Sequence, residues 1–268
     1  MTASGVRPQA LVTGATGGMG GEIVRELSRT HDVIAVGRSA DALSELARQT
    51  GATPWVLDIT DAEALAARAA ELTRLDVLVH GAAIAAVHTA ESATPEDWER
   101  QFAINVFAPA ELTRQVLPLL RESRGTVVFI GSGAGTRPVP GHAIYTASKH
   151  ALRGFADVLR IDEQRHRVRV VTLAPGQTDT GMLRTQSAEM GTPYEPERYI
   201  KPSSVAATAC FGARPARPIG PARPKLRAVS VRRVIGICRW NLRSVRGFRS
   251  LLRSSFGQVV MMTSADNY

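Results

Sequence analysis

The sequence predicts an α/β fold, a doubly wound parallel sheet flanked by helices on both faces. Three observations predict it. Short runs rich in Val, Ile and Leu alternate with longer helical stretches, the mark of βαβ units. A Gly-rich turn joins the first strand-like run to the first helical one. Of 268 residues, 44% are apolar but only 5% aromatic, so Ala, Val, Leu and Ile must build the interior. That composition suits helices packed on a buried parallel sheet.

The elements follow in order. Residues 9–13 (QALVT) read as the first strand, and residues 18–30 as the first helix. A second strand covers 32–37 (DVIAVG), a helix 40–49, and a third strand 53–57. An Ala-rich helix spans 61–74, and a fourth strand 76–80 (DVLVH). One long helix is expected over 95–122. Thr94 is its N-cap, Pro95 takes the first helical position, and acids fill the first turn. A fifth strand covers 126–130 (TVVFI), a long helix 143–163, and a sixth strand 167–173.

Charge divides the chain in two. Residues 201–268 hold thirteen Lys and Arg against the single acid Asp266, while the first 200 residues hold twenty basic and twenty-three acidic. The net charge of +9 therefore describes the C-terminal stretch and not the body. Residues 213–224 (ARPARPIGPARP) resemble no packed element. Around Val229-Ser230-Val231 a further strand is conceivable. Arg239, Arg243, Arg246, Arg249 and Arg253 then recur at near-helical spacing, as a basic amphipathic helix would have them. The chain thus reads as a folded domain over 1–207 and an atypical Arg/Pro-rich basic tail over 208–268. The tail has three readings: translation of a shifted reading frame, a basic appendage for membranes or acidic partners, or a disordered segment. The abrupt change in composition favours the first. Cys210 and Cys238 form neither a disulfide framework nor a metal site. Without a secretory signal or an apolar run of about 20 residues, a cytoplasmic protein is expected.

Chemistry concentrates in three motifs. Thr13-Gly14-Ala15-Thr16-Gly17-Gly18-Met19-Gly20 follows the first strand and opens a helix. A pyrophosphate at a helix N-terminus meets free N–H groups and the positive end of the dipole, and glycines allow the backbone to approach it. The second strand ends in Gly37-Arg38-Ser39 with no acid at that point; Asp41 comes later, at a helix start. An acid there would bind the ribose 2′-hydroxyl of NAD, whereas an Arg accommodates the 2′-phosphate of NADP. Arg38 therefore argues for NADP(H), with NAD(H) as the other option. The third motif is Tyr145-Thr146-Ala147-Ser148-Lys149, thirteen residues after Ser132. Positions i and i+4 share a helix face, which brings the Lys149 ammonium to the Tyr145 hydroxyl. A neighbouring cation lowers a phenol pKa from about 10 and fits Tyr145 for proton transfer to or from a carbonyl oxygen. Ser132 would hydrogen-bond the same oxygen.

These motifs, with their order over roughly residues 8–207, resemble the short-chain dehydrogenase/reductase family. The resemblance implies a Rossmann-type sheet and hydride transfer between NADP(H) and a ketone, an aldehyde or a secondary alcohol. It implies that Gly14, Thr16, Gly18, Met19 and Gly20 serve the cofactor turn, with Arg38, Ser39, Asp58 and Ile59 around the adenosine. Asp58 also suits an N-cap for the next helix. His80-Gly81-Ala82-Ala83 stands where most relatives carry Asn-Asn-Ala-Gly; its small residues, Gly81 and Ala82 among them, still permit close approach, and His80 reads as a packed strand-end histidine. The resemblance further implies that Asn105 joins Ser132, Tyr145 and Lys149 as the fourth catalytic residue by binding a water. Pro175 and Gly176 would pass beside the nicotinamide, and Thr178 and Thr180 would reach its carboxamide and the phosphates. His142, Met182 and Leu183 would meet the substrate, with Tyr194 and Tyr199 adding to an apolar pocket. Homodimers or tetramers are usual in the family. Two other readings stand beside this one. The changed motif after the fourth strand fits an inactive, cofactor-sensing regulator. The tail fits a membrane- or nucleic-acid-binding protein, against which the acidic body counts.

Overall fold

The computed structural model of the chain describes residues 6–213. The strand expected near Val229 and the basic helix over 239–256 lie outside the described residues. Among the described residues, six strands form one sheet: β1 (Gln9–Thr13), β2 (Asp32–Gly37), β3 (Thr53–Val56), β4 (Val77–His80), β5 (Thr126–Ile130) and β6 (Arg169–Leu173). They are ordered β3-β2-β1-β4-β5-β6, and every neighbouring pair is parallel. This is the Rossmann order, in which winding reverses between β1 and β4.

Alternation along each strand sends side chains to two separate cores. Leu11, Leu78, Val127 and Phe129 pack against α3 (Ala62–Ala70), α5 (Ala108–Ser123) and α6 (Ala143–Glu163). Ala10, Val12, Val77, Val79 and Val128 face the other way. They meet α1 (Gly18–Leu27), α2 (Ala40–Thr50) and α8 (Pro202–Ala213). Burial on both faces explains why the strands read as continuous apolar runs. Pro54 is tolerated because β3 is an edge strand.

Several element boundaries differ from the expected ones, and three of the differences have a clear local reason. The helix expected over 61–74 is α3, capped by Asp61, which accepts from Ala64 N at 3.0 Å. It stops early because Asp76 draws the following chain toward the sheet, binding Arg74 Nε at 2.7 Å and Gln9 N at 2.8 Å. The sixth strand begins at Arg169 because Arg167 takes a left-handed conformation, φ 62°. The long helix expected over 95–122 is interrupted. It consists of α4 (Pro95–Phe102), a π-helical turn at Ala103–Phe107, and α5. Thr94 and Asp97 form a capping box at its start. The π turn carries the buried Asn105, an element interior that propensity disfavours.

Leu78 is fully buried at the centre of the sheet. Leu78→Ala is expected to destabilise the protein by about 2–5 kcal/mol. Urea unfolding checks this: the midpoint falls while the denaturant slope stays constant.

Candidate active site

The β1–α1 turn forms a cradle that side chains would fill. Gly14 has φ +68°, and a Cβ there would stand 2.7 Å from Ala82 Cα. A Cβ on Gly20 would stand 2.1 Å from the Gly14 carbonyl oxygen. The Thr13 hydroxyl accepts from Gly81 N at 3.2 Å and Ala82 N at 3.3 Å, tying the ends of β1 and β4 together. Gly17 is the N-cap of α1 and supplies no side-chain cap. The first-turn N–H groups are thus left for an anion.

A groove of about 420 Å³ runs along this turn. Arg38, Asp58 and Ile59 line one end, Thr16, Gly18 and Met19 the middle, and Thr180 and Met182 the other end. The Asp58 carboxyl lies below its ordinary pKa, chiefly because Thr60 donates to it from its N–H at 2.9 Å and its hydroxyl at 2.7 Å. The nearby Arg38 charge adds to this. Asp58 is therefore not the cap expected for the next helix, since Asp61 holds that position. Ser39 faces α2 instead of the groove, accepting from Ala42 N at 3.3 Å as its N-cap. After β6, the Thr178 hydroxyl donates to Gly176 O at 3.0 Å, and Thr180 caps α7 (Gly181–Glu189). Thr180 also closes on the Gly-rich turn: a Cβ on Gly18 would stand 3.0 Å from its methyl carbon. A glycine cradle, an uncapped helix start and an arginine at the far end together fit a dinucleotide.

Beyond Met19, Thr180 and Met182, which both cavities share, the groove opens into a second cavity of about 410 Å³. Ser132 leaves the end of β5, and Tyr145 enters from the first turn of α6. The Ser132 hydroxyl is a close polar neighbour of the phenol. Burial raises the Tyr145 phenol above its ordinary pKa, and Ser132 only partly offsets this. The net shift is upward, against the lowering expected from Lys149. Its Nζ stands 5.7 Å from the Tyr145 ring centre and donates to Ile130 O at 3.1 Å. Desolvation brings Lys149 itself down to about 8.

Asn105 is fully buried and its side chain is committed to protein partners. Its oxygen accepts from Ile84 N at 2.9 Å. Its amide donates to Ile84 O at 2.9 Å and to Ser148 Oγ at 3.0 Å, leaving no free N–H for a water. Ser148 in turn donates to the Tyr145 carbonyl at 2.9 Å. Asn105 thus connects the loop after β4 to the turn of α6 that carries Tyr145.

His142, Met182 and Leu183 line the second cavity, together with Pro175, Gly176 and Tyr199. His142 is buried. Its Nδ1 faces Pro140 O at 3.0 Å and its Nε2 the Gln186 amide nitrogen at 2.9 Å, an arrangement that suits the neutral ring. Gln186 also donates to Ala85 O at 3.0 Å, closing α7 over the loop after β4. Neither Gln186 nor Arg137, another wall residue, carries a local signal in the sequence. Tyr194 stands apart, hydrogen-bonded to Asp179 under the Arg184 guanidinium. His80 is a packed histidine, as expected. It stacks on Phe129 at 4.8 Å, bonds Thr113 at 2.9 Å, and burial pushes it down to about 3.

Known proteins resemble this chain in sequence and fold. Residues 8–191 match the family model of short chain dehydrogenases. A benzil reductase ((S)-benzoin forming) of Saccharomyces cerevisiae is 34% identical over 212 residues, covering 71% of this chain and 81% of the yeast protein. An NADP-dependent 3-hydroxy acid dehydrogenase of Escherichia coli K12 is 37% identical over 175 residues, covering 62% of this chain and 71% of that enzyme. Among solved structures, an actinorhodin polyketide ketoreductase with NADPH superposes with a TM-score of 0.73 at 27% identity, over 78% of this chain and 91% of its own. An oxidoreductase of Burkholderia thailandensis gives 0.71 at 30% identity, over 78% and 86%. With well over half its length matched by that family model, and with the parallel sheet and glycine cradle in place, the chain belongs to the short-chain dehydrogenase/reductase family, NAD(P)-dependent oxidoreductases of hydroxyl and carbonyl groups.

Proposed function

We propose that the chain reduces a ketone or aldehyde with NADPH and catalyses the reverse oxidation, with Tyr145 as general acid/base. One observation carries this reading: the paired Tyr145 and Ser132 hydroxyls lie in a cavity continuous with the groove along the Gly-rich turn. A bound nicotinamide supplies or accepts the hydride. The chain's own residues handle the proton and the oxygen. Tyr145, kept protonated at neutral pH by burial, donates to the carbonyl oxygen, and Ser132 hydrogen-bonds the same oxygen. Lys149 supplies positive charge beneath the phenol, which stabilises the phenolate formed by that donation. Asn105 acts through Ser148 as a positioning residue for the Tyr145 turn.

Arg38 at the end of β2 supports NADPH over NADH, as do relatives named for NADP. Exposed Phe107 at the π turn and exposed Val158 and Ile161 on α6 support a homo-oligomer, dimer or tetramer, formed through the two long helices. No described helix is long and apolar enough to cross a membrane, and a cytoplasmic location completes the reading.

Three measurements test it. Tyr145→Phe is expected to lower turnover by roughly 10²–10⁴-fold while leaving NADPH binding intact; unchanged turnover would remove the catalytic assignment. Arg38→Ala is expected to weaken NADPH binding by roughly ten- to a hundredfold and to spare NADH. Nicotinamide fluorescence titration reads both, and equal losses would end the NADP preference. In the reductive direction, kcat/KM is expected to be level at neutral pH and to fall above about 8, where Lys149 loses its proton. A profile that stays flat to pH 10 would exclude Lys149 charge from the mechanism.

A further inference from the structure

The second cavity has neutral walls apart from one residue. Among the described residues that line it, Arg137 alone carries a formal charge. His142 is held by Pro140 O and Gln186 in the arrangement that suits its neutral form, so it adds none. No carboxylate of the described residues lines the cavity to answer the guanidinium.

The backbone explains where Arg137 stands. After Ser132 the chain makes a 3₁₀ turn at Gly133–Gly135, and the Thr136 and Arg137 N–H groups both return to Gly133 O, at 3.1 and 3.2 Å. This folds Arg137 back over Gly133. A methyl group placed on Gly133 would stand 3.6 Å from Arg137 Nη2 and 3.7 Å from Nε. The guanidinium thus lies against the residue next to Ser132, and consecutive Cα atoms are only about 3.8 Å apart. One small molecule can reach from the Ser132–Tyr145 hydroxyl pair to this cation. The side chain is exposed at the cavity rim, and its guanidinium makes no hydrogen bond or ion pair with the described residues. An Arg fork without an internal partner matches carboxylate and phosphate oxygens in a bidentate manner.

We propose that Arg137 is the anion-reading residue of this cavity, so that the carbonyl substrate carries a carboxylate or phosphate group near its reacting carbon. This rests on the reading of Tyr145 and Ser132 as the reacting pair. The hydroxyl pair takes the carbonyl oxygen, Met182 and Leu183 cover the apolar part, and Arg137 holds the charged end. Selectivity arises because an anion gains charge-assisted hydrogen bonds from the Arg137 fork that a neutral analogue does not make.

The test uses the full-length protein, NADPH and matched ketones. Acetoacetate is set against its ethyl ester, and dihydroxyacetone phosphate against dihydroxyacetone. The readout is the ratio of kcat/KM for each anion to that for its neutral partner. At least one ratio is expected to be roughly ten- to a hundredfold above one and to collapse toward one in Arg137→Met. Arg137→Lys, which keeps the charge but not the fork, is expected to fall between. The pair with the high ratio distinguishes carboxylate from phosphate. Ratios near one in the unmodified protein, or high ratios that survive in Arg137→Met, overturn the proposal. If no ketone is reduced, thermal shifts decide, with 3-hydroxybutyrate and glycerol 3-phosphate set against ethyl 3-hydroxybutyrate and glycerol. A shift by an anion alone that is lost in Arg137→Met upholds the anion site and retires the reductase reading. Equal shifts by anions and neutral partners, or none by either, overturn the anion site.

Discussion

The reversal of winding between β1 and β4 is the constraint on which the rest of the structure depends. Crossovers between parallel strands are right-handed. The chain therefore runs outward from β1 to β3 and returns to start β4 on the other side of β1. Loops leaving the adjacent carboxyl ends of β1 and β4 diverge, and a crevice opens between them. That crevice can hold a ligand only if its floor stays thin. Gly14 in a left-handed conformation against Ala82, with Gly20 against the Gly14 carbonyl, keeps it so. The Thr13 hydroxyl, bound to both Gly81 N and Ala82 N, holds the two strand ends at that distance.

Burial, more than any single ion pair, sets the electrostatics around the crevice. The groups concerned respond to desolvation according to the charge they would carry. Tyr145 rises because its phenolate is disfavoured, while Lys149 and His80 fall because their cations are. For Tyr145 the result is an acid that remains protonated at neutral pH, the state needed to donate to a carbonyl oxygen. For His80 it is a ring kept neutral beneath the sheet end, stacked on Phe129 and without catalytic reach. Surface pairs such as Arg48 with Glu45 lie in solvent, and exposed pairs of this kind contribute little.

The interrupted helix shows how a local conflict is resolved in favour of the site. An Asn in a helix interior competes for backbone hydrogen bonds. Here a π turn accommodates it, and its side chain is satisfied by Ile84 and Ser148. Through Ser148 the same contacts reach the backbone of Tyr145. The loop after β4, the π turn and the start of α6 are thereby held as one unit. Gln186 joins α7 to the same loop at Ala85.

The order of strands and helices, the glycine turn and the Ser132, Tyr145 and Lys149 set were legible in the sequence. Each depends on short-range pattern: a period of two or 3.6, a left-handed glycine, a pair four residues apart. Asp58, Ser39 and Tyr194 were legible only as candidates, since the nearest partner of each was settled by packing. Asp58 bound Thr60, Ser39 capped a helix, and Tyr194 turned to Asp179. The direction of the Tyr145 shift was misjudged because spacing reports that Lys149 is near, not how deeply the phenol is desolvated. Gln186 and Arg137 were invisible for a related reason. Gln186 acts on a carbonyl 101 residues away, and Arg137 matters because a turn folds it over Gly133 into an otherwise uncharged cavity. Local sequence determined which elements form and which side chains can do proton chemistry. Tertiary structure alone decided which of them lose water and which meet, because desolvation and long-range contact belong to the assembled fold.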